Sequence, residues 1–139
     1  MALVLKCHKG IGPIVSGIAL VAEDNFSARY DLDRLKGVFS RPAHKLVGQN
    51  YVDRILVLVT AKGGVASAWM LREMAQRGMA PAAIVFDRTN TILAQGAAFA
   101  DMALVDRFEA GDPTTLIRTG DEVLIEPAAG RVTIKNRDA

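Results

Sequence analysis

The chain has 139 residues, half of them hydrophobic, and a formal net charge of +2. It is long enough to bury one real core and too apolar to stay disordered; scattered basic residues and few aromatics speak against a nucleic-acid surface. A single cysteine, Cys7, excludes an intramolecular disulfide and a cysteine zinc cluster.

Ala2 to His8 reads as a strand with Cys7 as a small residue within it, and His8 adds no metal site because neighbours on a strand point to opposite faces. Lys6, His8 and Lys9 ahead of the apolar stretch Ile11 to Ala22 faintly resemble a secretion signal. Gly10, Gly12, Pro13 and Gly17 interrupt that stretch, so two short strands around a Gly-Pro turn fit better. No apolar run is long enough to span a membrane, which makes a cytoplasmic protein the default expectation. Gly17 to Glu23 is a second strand, Glu23 to Asn25 a polar turn, and Phe26 to Tyr30 a third short strand. Asp31 to Lys36 reads as a turn or short helix closed by Gly37, and Ser40 to His44 as irregular chain with Pro42 as breaker.

Ile55 to Val59 is an unbroken aliphatic run, too short for a helix of its own and suited to a strand covered on both faces. Lys62, Gly63 and Gly64 turn the chain into a helix whose free N–H groups and positive dipole end face the turn. Such a corner can hold a phosphate or carboxylate. It has neither the P-loop order nor the dinucleotide fingerprint, and by itself a tight connection that needs glycine for geometry explains it. Helical spacing places Ser67, Met70, Leu71, Met74 and Gly78 on the sheet-facing side, with Val65 and Trp69 on the polar side. That outward pair is a contact surface for another chain, or else a loop of this chain covers Trp69.

Gly78 and Pro81 end the helix, and Ala82 to Phe86 is another buried strand, which implies a right-handed parallel crossover. The loop Asp87 to Asn90 then lies on the same sheet edge as Lys62 to Gly64, where α/β folds build sites. Thr91 to Ala100 is a small helix capped by Asn90, and Met102 to Phe108 a third strand of this layer. Asp112-Pro113 starts a short helix. Glu122 to Glu126 and Arg131 to Lys135 form a terminal hairpin around Ala128-Ala129-Gly130. The fold class is α/β in a single domain, with a βαβαβ middle and an all-β component packed against it.

The ordered set of pieces from about Gly17 to Ile134 resembles the small subunit, or swivelling domain, of the aconitase X hydro-lyases. It comprises Gly17 to Val21 as the opening strand, His44 to Gly48 leading into Ile55 to Leu58, and the basic-glycine pair Lys62-Gly63. Arg77 to Val85, Ile92 to Ala97, Ala100 to Asp106 and Ile117 to Val123 follow in the family's order. The resemblance implies a swivelling β/β/α domain and dehydration of a small hydroxy acid such as a hydroxyproline isomer or phosphomevalonate. It implies a large subunit that carries an iron–sulfur or iron centre, over which this chain closes. The cluster must come from elsewhere, since one cysteine cannot hold it.

Two positions depart from the family's pattern. Gly64 stands where the family has its serine base, and Arg41 where it tends to have an acidic residue. An altered substrate, a base from the other subunit or lost activity would each account for the first. Catalytic candidates are therefore Lys62, as anion binder or base, and Ser67, as a displaced hydroxyl. A solvated lysine and a small residue for close helix packing are the plainer readings of the two. Gly63, Gly64 and Asn90 are the substrate-binding candidates; N-capping already explains Asn90. His44 could be an acid or base, or a satisfied loop histidine. Two other classes stay open: a non-catalytic binding or regulatory domain of the same fold, and a carrier domain passing a phosphoryl group through His44.

Overall fold

The computed structural model describes residues 2–62 and 64–136. Strand β2 (Val15–Val21) joins two kinds of sheet. Its first half, Val15 to Ile18, pairs antiparallel with β9 (Glu122–Glu126). Its second half, Ala19 to Val21, runs parallel to β6 (Ile55–Ala61). On one side lies the antiparallel group: β1 (Leu3–Lys6), β10 (Arg131–Ile134) and β9, the last two joined by a 3-10 turn over Pro127–Ala129 that ends at Gly130 in the left-handed region. On the other lies the parallel group: β6, β7 (Ala83–Arg88) and β8 (Ala103–Val105). The all-β component and the βαβαβ unit therefore share one eight-stranded sheet in the order β1-β10-β9-β2-β6-β7-β8, with β3 (Asn25–Phe26) added beside the end of β6.

Strand β6 is the spine because its side chains are buried on both faces. Ile55 and Val57 enter one apolar cluster with Ala19, Val85, Val123 and Ile134; Leu56 and Leu58 enter a second with Leu71, Met74, Phe86 and Leu93. Fully burying a side chain of this size contributes roughly 1.5–3 kcal/mol. The second cluster lies beneath α1 (Val65–Gln76) and α2 (Thr91–Phe99). Helix α1 buries Ser67, Leu71 and Met74 and leaves Val65 and Trp69 outward, as the spacing predicts. Gly78, expected on the buried face, instead lies exposed past the helix end at φ 69°, where glycine suits the left-handed turn. Asn90 caps α2 by accepting the Leu93 N–H at 2.7 Å. Asp112 caps the short α3 (Pro113–Leu116).

One expectation needs correction, and another is decided between its two alternatives. The third strand covers Asn25 and Phe26 only; Ser27 to Tyr30 is a turn. Local bonds outcompete strand pairing there: the Ser27 N–H donates to the Asp31 carboxylate, the Asp31 N–H to the Ser27 carbonyl, and the Tyr30 N–H to the Ser27 hydroxyl. The turn at Asp33 to Gly37 is flanked by a small hairpin of β4 (Leu32–Asp33) and β5 (Val38–Phe39) instead of forming a helix. The Asp33 carboxylate accepts the Leu35 and Lys36 N–H groups at 3.1 Å each, which closes it. Among the described residues no helix is long and apolar enough to cross a membrane.

Candidate functional site

The carboxyl end of β6 is gripped from both sides. Thr60 and Ala61 pair with β3, and Thr60 also pairs with Arg88 of β7. The Lys62 N–H donates to the Phe26 carbonyl at 2.7 Å, so the strand is held up to the residue where it turns. Gly64 is the N-cap of α1, with no side-chain cap; a Cβ there would meet nothing within 4 Å, so packing does not require glycine. Gly63 lies outside the described residues.

Beside this corner is an open cleft of about 550 Å³ lined by Ser27, Tyr30, Asp31, Arg41 and Lys62. Its lining is mostly apolar, and the polar groups beneath it are ordered by hydrogen bonds. Ser27 and Ser67 are both buried, with their hydroxyl oxygens 3.4 Å apart, which brings the first turn of α1 against the 27–31 turn. Asp31 is buried as well. One carboxylate oxygen accepts the Ser27 N–H at 2.8 Å and the other accepts Arg41 Nε–H at 2.6 Å. The Asp31 carbonyl accepts the Ser40 and Arg41 N–H groups, so this residue ties both ends of the 31–41 segment. Lys62 and Arg41 bring two cations to a cleft with one carboxylate, leaving it net positive.

His44 stands behind this wall. Its Nδ1 accepts the Leu46 N–H at 3.0 Å, which leaves the proton on Nε2, and that nitrogen donates to the Asn25 carbonyl at 2.7 Å. The ring is buried and stacks on Phe39 at 4.7 Å. It braces the loop and does not line the cleft, and it is on no helix N-terminus where a phosphoryl carrier would present it. Asp24 sits beside it. Burial raises the Asp24 pKa, yet the Lys45 and Asn25 amides, with His44 and Arg41 adding electrostatically, outweigh this and hold it below the usual carboxylate range.

The sequence-derived candidates thus separate. Lys62 lines the cleft, whereas Ser67 is buried outside its lining and touches it only through the Ser27 hydroxyl. Asn90 is on the same sheet edge, but its side-chain oxygen is committed to capping α2. The residues that sequence reasoning missed are Ser27, Tyr30 and Asp31. Their only sequence signal is a hydroxyl four residues before a carboxylate, a common turn pattern. Arg41 was visible as an oddity but had no location. Among the described residues no group of three or more His, Cys, Asp or Glu is placed to hold a metal ion. Burial, with Asp106 adding to it, pushes the Cys7 thiol up to about 11, so the free thiol stays protonated at neutral pH.

Comparison with known proteins fits this geometry. The aconitase X swivel domain family matches residues 4–134. The chain belongs to that family. A phosphomevalonate dehydratase small subunit from Methanococcoides burtonii is 29% identical over 133 residues, covering 96% of each chain. One from Methanothrix thermoacetophila is 35% identical over 103 residues, covering 74% of this chain and 75% of its own. Among solved structures, the holo-form of Thermococcus kodakaraensis aconitase X superposes with a TM-score of 0.87 at 26% identity, over 95% of this chain and 98% of that one. The swivel-domain family membership thus agrees with the α/β architecture and with the resemblance read from the sequence.

Proposed function

We propose that this chain is the small subunit of an aconitase X-type dehydratase acting in the cytoplasm on a small hydroxy acid. The single observation that carries this reading is the end-to-end match with dehydratase small subunits, 96% of both chains in one case. Phosphomevalonate is the first substrate to test, because it stands in those relatives' names; a hydroxyproline-like acid is the second. In this reading a large subunit holds the iron–sulfur or iron centre, and this chain closes over it with the cleft beside Lys62 facing the substrate.

The chemistry asked of this chain is electrostatic. Removing a proton next to a carboxylate builds negative charge on that acid. Preorganised cations and N–H groups in a closed site stabilise such charge. In this reading Lys62 supplies the cation and the first turn of α1 at Gly64 supplies the N–H groups. The hydroxyls at hand are Ser27 and Ser67, not position 64. A second reading, a non-catalytic ligand-binding or regulatory domain, draws on Gly64, which has no hydroxyl to offer as a base.

The test is to purify the tagged chain from its own host and measure intact mass and iron, then assay dehydration of phosphomevalonate. A stoichiometric larger partner with iron, and turnover that needs both chains, is the expected result. A lone iron-free chain, or a complex without turnover on any hydroxy acid, would shift the conclusion to the binding domain.

A further inference from the structure

We infer that Arg41 is a ligand-binding residue that grips an oxyanion group, phosphate monoester or carboxylate, across the cleft from Lys62. The inference deepens the hydroxy-acid reading and rests on it only for the molecule that carries the group.

The argument starts from how Arg41 is held. Its Nε–H donates to Asp31 at 2.6 Å, and Asp31 is itself buried and fixed by the Ser27 N–H. The guanidinium plane is therefore set by a partner that cannot move freely. Of its five N–H donors only the Nε–H is taken; the two terminal nitrogens have no hydrogen-bond partner among the described residues. They belong to a side chain one-third exposed at the cleft wall. A guanidinium anchored by one edge and open on the other is preorganised for bidentate capture of a carboxylate or phosphate, because much of its rotamer entropy is already lost.

Charge sets the ligand's sign. Arg41 and Lys62 face one carboxylate in the cleft, and both oxygens of that carboxylate are occupied by protein donors. A metal cation would meet two positive side chains there, whereas an anion finds the unpaired half of Arg41 and the Lys62 ammonium. A loop brace is complete with the Arg41–Asp31 bond, and the terminal nitrogens of a cleft-lining, one-third exposed side chain stay over for a ligand.

The test is a titration of the full ¹⁵N-labelled chain with inorganic phosphate and, separately, acetate at constant ionic strength, followed by amide and arginine Nε–H shifts. Saturable shifts at Ser27, Tyr30, Arg41 and Lys62 are expected, with affinity falling at least tenfold in Arg41→Lys, which keeps the charge and loses the fork. The tighter of the two anions identifies the group. The unperturbed remainder of the Arg41→Lys spectrum checks that the 31–41 segment keeps its fold; if that segment shifts broadly, Arg41→Gln and the KM of the assembled enzyme replace it, a raised KM at unchanged kcat being expected. No saturable shift with either anion, or equal affinity in Arg41→Lys, would overturn the inference. Phosphate bound through Arg41 by a chain that recruits no large partner supports this inference while removing the subunit reading. Turnover in an assembled enzyme whose Arg41→Lys form keeps its KM removes Arg41 alone.

Discussion

Lys62 is exposed at the end of a buried strand, and its position depends on the backbone and not on the side chain: the N–H bonds Phe26, and β6 is paired on both sides up to Thr60. Removing the ammonium should leave the fold alone and act on the ligand. A charge-assisted hydrogen bond contributes about 1.5–3 kcal/mol. Lys62→Ala is therefore expected to lower kcat/KM of the assembled enzyme roughly 10–100-fold with an unchanged melting temperature. Unchanged kinetics would remove the corner from the mechanism. Tyr51 shows the reverse case, a buried side chain whose polar atom does nothing visible. Its ring is fully buried and meets Phe39 edge-on at 6.1 Å, and its hydroxyl has no hydrogen-bond partner among the described residues. Burial raises its pKa, the response expected of a phenol kept from water. Leaving a buried donor unsatisfied costs about 1–3 kcal/mol, so Tyr51→Phe should be neutral or stabilising by up to about 1 kcal/mol in chemical denaturation. A marked loss of stability would mean that the hydroxyl has a partner, such as a buried water.

At the scale of elements, the contact between α1 and α2 is unusually close and is set by one residue. A Cβ on Gly96 would lie 2.6 Å from Ala68 Cα and 2.7 Å from Ala68 Cβ. These are backbone and short side-chain atoms that cannot swing away. Gly96→Ala should force the helices apart and destabilise by about 1–3 kcal/mol, despite alanine's better helix propensity. A thermal melt of that variant decides it, and a rise in melting temperature would show that the layer can relax. The same elements show what the sequence could and could not reveal. Strand β6, both long helices and the caps Asn90 and Asp112 follow from local patterns: an aliphatic run, a 3.6-residue period, a side chain that reaches its own helix's N–H groups. The place of Lys62 at the end of β6, as one wall of the candidate site, was legible for the same reason, because the glycines next to it mark the turn. The rest of the site was not. Ser27 and Ser67 are 40 residues apart and meet only through the sheet, and Asp31 finds Arg41 across a hairpin of two-residue strands too short to show any alternation.

At the scale of the molecule, the helical layer presents an apolar face that the described residues leave exposed. Trp69 is 59% exposed and Phe99 68%, their rings nearly parallel at 6.3 Å, with Val65 and Ile92 exposed beside them. Single exposed apolar residues are ordinary, but four in one patch are the composition of a contact surface. The patch begins at Val65, three residues after Lys62, so a subunit that closes over the cleft would reach it. The large subunit is accordingly the partner proposed for it. Because the Trp69 ring is mostly in water, Trp69→Ala should cost the isolated chain no more than about 1 kcal/mol, most of it the contact with Phe99. A tryptophan buried at the centre of an interface is worth about 2 kcal/mol or more, so the dissociation constant of the two subunits should rise roughly 30-fold. Calorimetric titration of the large subunit with wild-type and variant chains, paired with their melting temperatures, separates the outcomes. Weaker association with the melt unchanged places the patch in the interface. An unchanged dissociation constant would leave Trp69 and Phe99 as a surface stack and send the search for the contact to another face.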